Sequence, residues 1–228
     1  MANIKGLISQ LSVSKGSDGD YKYVRMLREG SLSIADFKFV SVMAGRGHMI
    51  NVGAFSTPIT GGGDGTVVDQ DQPEFVISAP SGTTIIPLRI EVTCQTPLIN
   101  ADSDEAEIIV AVDQDNAYAG DGTATSETIY NMNTLNTTNP SACTAISAAT
   151  ADITDPVLDL ELMHKVIVGD VQGTAANALW GELYGLYEPA APPILNGPCM
   201  ICGYWGGTVA TTGFAVVQWL EYPTTWFS

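Results

Sequence analysis

The chain has 228 residues, 45% of them hydrophobic and only 15% charged, with a formal net charge of −16. That length suits one large all-β domain, or one domain with an arm, and crowds two full domains; a charged share below the usual ~25% leaves much of the surface to neutral Thr, Ser, Asn, Gln and Gly. Eight of the nine bases fall at or before Arg89 and 17 of the 25 acids after it, so nucleic acid is not an expected partner of the body, because counterion release needs several Lys or Arg on one surface.

Residues 1–73 read as an extended arm or as extra strands: short apolar pieces (7–13, 21–27, 32–43, 49–55) are broken by Gly, Ser and Asp. Residues 1–25 lack the apolar stretch of a secretory signal, and no run of eighteen apolar residues occurs anywhere, which predicts a soluble protein made in the cytoplasm with no membrane span. The body, 74–228, is dominated by period-two alternation. Ile86, Leu88, Ile90, Val92 and Cys94 alternate with Pro87, Arg89, Glu91 and Thr93, predicting a strand with one face on a core and Pro87 at an edge or bulge. The same period recurs at 107–113 and at 160–168, where Leu160, Leu162, Val166, Val168 and His164 share the inward phase. Weaker strands are expected at 74–79, 126–132, 178–187 and 198–205, with 142–151 the one short helical candidate. At 214–222 both phases are apolar, predicting a strand covered on both faces. About eight strands separated by polar turns fit an all-β, two-sheet antiparallel sandwich, jelly-roll-like, with an immunoglobulin-like sandwich as the alternative topology.

Cys199 and Cys202 have the spacing of a redox dithiol or half a zinc site. They lie between turn signals in a strand pattern rather than at a helix N-terminus, so all four cysteines (94, 143, 199, 202) are expected reduced and mostly buried. His48 and His164 are the only histidines, and neither sits in a nucleophile or metal motif, so no catalytic residue is assigned. No cofactor is expected. The best metal candidate is Asp113, Asp115 and Asp121 as Ca²⁺ ligands, set against the reading of solvated loop acids, since the Gly and distal Glu of an EF-hand are missing. The turn at Gly45-Arg46-Gly47 is read as presenting Arg46 to an acidic neighbour. The late aromatics, from Trp180 to Trp226, are read as core and interface anchors. An apolar terminus, Trp226-Phe227, is expected to dock on a neighbour or on its own body.

The Gly-rich arm, the segment Pro80 to Ile90, the Thr/Ala/Asn-rich loops and the apolar last strand Phe214 to Leu220 together resemble the jelly-roll structural proteins of viruses, particularly of bacteriophage-type virions. The resemblance implies a non-enzymatic capsid subunit or capsid decoration, made in the host cytoplasm and resident in the virion. Its partners would be copies of itself, often as trimers, and other virion proteins. Arms that package RNA are strongly basic, whereas residues 1–46 hold seven bases against four acids. Expected interface residues are Arg25, Arg28 and Arg46 in the arm and Trp226 and Phe227 in the tail. The alternative is a carbohydrate- or receptor-binding sandwich of a fibre or spike. An enzyme ranks third, as no carboxylate pair is singled out by spacing.

Overall fold

The computed structural model describes residues 36–61, 68–95, 98–99, 105–118, 124–135, 139–148, 153, 156–168, 179–180, 183–208 and 211–227. One short helix, α1 (Phe37–Met43), precedes fifteen strands: β1 (Gly47–Val52), β2 (Ile59–Thr60), β3 (Phe75–Ala79), β4 (Thr83–Cys94), β5 (Leu98–Ile99), β6 (Glu105–Asp113), β7 (Thr125–Ser126), β8 (Tyr130–Asn131), β9 (Thr144–Ser147), β10 (Leu160–Val168), β11 (Leu179–Trp180), β12 (Leu183–Tyr187), β13 (Leu195–Asn196), β14 (Cys199–Gly207) and β15 (Thr212–Pro223). They form two antiparallel sheets. The first runs β12-β4-β15-β1-β8, with β13 beside β4 and β2 beside β15; the second runs β10-β6-β14-β3-β9-β7, and β5 and β11 pair separately. The all-β two-sheet sandwich is therefore the fold. Strand β1 lies between β15 and β8, so a segment from before residue 74 is built into the first sheet.

The main core lies between the sheets. Ile50, Val52, Ile90, Val92, Val217 and Trp219 from the first meet Phe75, Ile77, Ile108, Val110, Ile201 and Trp205 from the second. Each sheet also buries part of its outer face. Val76, Met200, Cys202 and Tyr204 lie under Val68, Tyr118 and Leu158 on the second, and Ile86, Leu88, Leu220 and Tyr222 lie under Val42 of α1 and Trp226 on the first. The double cover expected of the last strand holds at residues 219–222 and lapses at Phe214 and Val216, which are half-buried.

Two β-bulges redirect side chains that strict alternation assigns to one face. In β4, Arg89 pairs with Gln218 and Pro87 with Trp219, leaving Leu88 as the extra residue. Ile86 and Leu88 consequently face outward beneath α1, whereas Ile90, Val92 and Cys94 face the main core. Pro87 sits beside this bulge and between the stretches of β4 paired by β12 (90–94) and by β13 (84–85), where its missing N–H costs no ladder bond. In β10 the register shifts between Glu161 and Met163. Met163 turns to the core while His164 and Val166 face out, which corrects the inward phase expected for both.

The helical candidate at 142–151 is also corrected, because Thr144–Ser147 pairs with β3 as strand β9. The helix that does form is capped by Asp36, whose carboxylate accepts from Lys38 N at 2.7 Å. Its seven residues make under two turns, too few to register as a 3.6-residue period.

Gly203 faces Phe75 across the β14–β3 pair. A Cβ there would fall 2.0 Å from Phe75 Cε1, and the Phe75 ring is fully buried against Trp205. Gly203→Ala is expected to destabilise the fold by about 2–3 kcal/mol, an overpacking cost, read as a lower urea midpoint at unchanged slope. Unchanged stability would show that the sheets are looser than described.

Candidate functional site

The expected interface residues Arg46, Trp226 and Phe227 come together at one corner of the first sheet. The β15 strand ends there in a 3₁₀ turn, Thr224–Trp226, that folds the tail back over Tyr222. Arg46 leaves the α1–β1 turn with its guanidinium carbon 4.1 Å from the Trp226 ring centroid and 5.1 Å from that of Tyr222, a stack worth about 0.5–1 kcal/mol at a partly exposed site. Phe37 stacks on Tyr222 at 5.9 Å, and Phe227 meets the same ring edge-on at 5.5 Å. The tail thus docks on its own body, with Arg46 stacked on aromatic faces of its own chain. Arg25 and Arg28 lie outside the described residues.

The loop between β8 and β9 is fastened to this corner by side-chain amides. Asn131 Nδ2 donates to Gly45 O at 2.8 Å, Asn139 Nδ2 donates to the same carbonyl, and Asn133 Nδ2 reaches Met43 O at 2.9 Å. These bonds satisfy carbonyls left open at the end of the helix. Beneath the loop, Glu221 is buried, accepting from Trp219 Nε1 and Ala142 N at 2.8 and 2.9 Å and from Ser141 Oγ. His48 is 1% exposed, its Nε2 lies 3.9 Å from Glu221 Oε2, and its ring leans on Trp219 at 6.1 Å. Burial lowers the His48 pKa below its ordinary 6.5, against the opposing pull of the Glu221 carboxylate.

Around this corner the surface is apolar. Phe37, Phe39 and Met43 of α1 are 50%, 61% and 49% exposed, Leu135 of the attached loop 94% and Phe227 41%. Sequence reading missed the α1 residues. The signal was present in FKFVSVM, where apolar residues occupy every side of a short helix instead of one stripe.

The remaining candidates are dispersed. Asp113 is fully buried, with Oδ1 accepting from Asp115 N and Asn116 N and Oδ2 from Val157 N and Asn116 Nδ2. Burial pushes its pKa up, but these four bonds outweigh it and hold the group below the usual carboxylate range. It anchors a turn, with both oxygens engaged; Asp115 is exposed and Asp121 lies outside the described residues. No group of three or more His, Cys, Asp or Glu able to hold a metal occurs among the described residues. Cys199 and Cys202, three apart on β14, point to opposite faces, one into the main core and the other under the outer cover. All four thiols are free and buried; burial pushes those of Cys94, Cys199 and Cys202 up to about 12 and raises that of Cys143 as well. His164 lies on the second sheet's outer face, Nε2 3.0 Å from Glu107 Oε2. Tyr204, Trp205, Trp219 and Tyr222 are core residues, as read from their strand positions.

Comparison of the chain with protein-family models, curated proteins and solved structures returns no match. No helix among the described residues is long and apolar enough to cross a membrane.

Two measurements test this arrangement. Because the His48 pKa is lower in the folded protein than in the unfolded chain, its contribution is complete above pH 6.5 and is lost as pH falls toward the folded value. Wild type is expected to lose stability across that window more steeply than His48→Gln, and parallel profiles in chemical denaturation would contradict it. A thiol reagent at mildly alkaline pH is expected to leave the native cysteines unmodified while labelling all four in denaturant; fast native labelling would contradict their burial.

Proposed function

We propose that this chain is a non-enzymatic structural subunit of a virion, a capsid subunit or capsid decoration, that works by packing against copies of itself. The carrying observation is the clustering of exposed apolar side chains. Of the twelve large hydrophobic residues exposed among those described, five (Phe37, Phe39, Met43, Leu135, Phe227) belong to α1, the loop attached to it and the tail. Scattered exposed apolar residues are ordinary, but concentration in one patch is the mark of an interaction surface. A second copy fits it better than a foreign partner because of the segment that leads into it. Residues 1–35 carry five bases against three acids and enter the described structure at Asp36, beside the patch, while the chain beyond Arg89 carries 17 acids and one base. The front of one copy is thereby attracted to the body of another.

The strand order supports the jelly-roll reading. Of the eight strands with five or more residues, the first pairs with the last (β1–β15), the second with the seventh (β3–β14), the third with the sixth (β4–β12) and the fourth with the fifth (β6–β10), the pairs falling alternately in the two sheets. One long antiparallel ribbon wound around a core has this order. Viral capsid and lectin domains both use jelly rolls, so the fold alone does not choose between them.

Sedimentation of the full chain over a range of concentrations tests the proposal. Wild type is expected to form a discrete oligomer. The double substitution Phe39→Glu with Met43→Glu, at half-exposed positions where folding tolerates charge, is expected to weaken association about thirtyfold or more, the effect of losing a hot spot worth ~2 kcal/mol. A wild type that stays monomeric at every concentration and ionic strength overturns the reading.

A further inference from the structure

Next to the apolar corner, the seam between β1, β8 and the segment leading to β9 encloses an open cavity of about 580 Å³, whose lining includes His48, Glu127, Tyr130, Asn139 and Ser141. We infer that this cavity is a binding site for a neutral saccharide, with Tyr130 as the stacking surface. The inference stands apart from self-assembly, since neither requires the other.

The chemistry of the lining narrows the ligand. The volume falls in the range of small-molecule sites. Its polar lining is a carboxylate, amides, hydroxyls, an imidazole and a phenol, set beside the apolar Ile129 and Pro140, with no Lys or Arg among them. A phosphate or carboxylate ligand would meet Glu127 and find no cation. A metal ion would find no cluster of ligands among the described residues. What such a wall recognises is a ligand rich in uncharged hydroxyls, able to donate to Glu127 and exchange hydrogen bonds with Asn139 and Tyr130. Tyr130 is 52% exposed, offering a ring face to the C–H face of a pyranose and a phenol to its hydroxyls. The wall is also fixed in advance. Asn131 and Asn139 are tied to Gly45 O, Asn133 to Met43 O, and Glu127 Oε1 is held by Ser147 Oγ, so little ordering cost falls on binding. His48, in the same lining, has an Nε2 with no hydrogen-bond partner among the described residues, a buried polar atom of the kind that bound water or ligand ordinarily satisfies.

The test is saturation-transfer NMR of the full chain with a panel of free neutral hexoses, N-acetylhexosamines and their disaccharides at millimolar concentration. At least one class is expected to give a saturable signal. Tyr130→Ala should weaken that signal about tenfold, the scale of a lost aromatic stack. Tyr184→Ala, which removes an exposed tyrosine of β12 far along the first sheet, should leave it unchanged. Absence of saturable transfer from every sugar, or a signal indifferent to Tyr130→Ala in a variant with native circular dichroism, overturns the inference. Sedimentation of the same samples reads assembly independently, so failure of one proposal is distinguishable from failure of the other.

Discussion

Burial of the end of β15, residues 219–222, on both faces is the constraint around which the molecule is arranged. Ala215, Val217 and Trp219 enter the main core, and Leu220 and Tyr222 face the opposite way. A strand covered twice also needs its backbone groups paired on both edges, and β4 and β1 supply that pairing along most of its length. Trp219 alone removes 150–250 Å² from water, on the order of 4–6 kcal/mol of transfer free energy. The outer face at Leu220 and Tyr222 stays dry only because α1 and the Trp226 turn lie across it. The earliest described residues and the last thus close over the same strand, and the aromatic corner results from that closure.

The acidic balance of the chain looks different once the carboxylates are placed. Glu74, Asp113 and Glu221 are buried, and each accepts hydrogen bonds from backbone or indole N–H groups: Glu74 from Trp205 N, Asp113 from three backbone amides, Glu221 from Ala142 N and Trp219 Nε1. A buried carboxylate can be stabilised by oriented dipoles as well as by a base, and charge-assisted bonds of this kind are roughly twice as strong as neutral ones. A chain with one base after Arg89 therefore still places acids inside. Neutral amides do the complementary work at the surface, where Asn131, Asn133 and Asn139 bind carbonyls that bases elsewhere often cover.

The sandwich was legible because alternation follows directly from strand geometry, and the long strands β4, β6 and β10 announce themselves this way, while β15 reads as apolar in both phases and β14 only as a weaker candidate at 198–205. What alternation cannot carry is a change of phase. One extra residue at Leu88 and another near Leu162 reverse the faces of everything beyond them, and the positions of those residues depend on the partner strand, not on local composition. His164 was misplaced for that reason. Arg46 and the tail residues Trp226 and Phe227 were singled out separately, because a base in a turn and an apolar terminus are anomalous in a sparsely charged chain, and the structure brings them together. Their shared partner, Tyr222, reads in sequence as one more strand aromatic, and the Glu221–His48 contact joins residues 173 positions apart with no local signal.

The corner also explains why α1 has the composition it has. A helix that served only to cover Leu220 and Tyr222 would need one apolar face, formed here by Val42 with Ser41 bonded to Tyr222, and would gain nothing from phenylalanine and methionine on its outer side. Phe39 and Met43 carry that exposed surface, and Asn133 ties to Met43 O the loop that carries the exposed Leu135. Solvent exposure of this much apolar surface opposes the stability and solubility of a lone copy. Under the proposed assembly a second molecule packed against the corner would remove the opposition, and the same Asn bonds that fasten the loop there also belong to the wall of the cavity beside it. One set of amide bonds to the α1–β1 turn thereby fixes two adjoining surfaces, the exposed apolar corner and a cavity that sets polar groups beside Ile129 and Pro140.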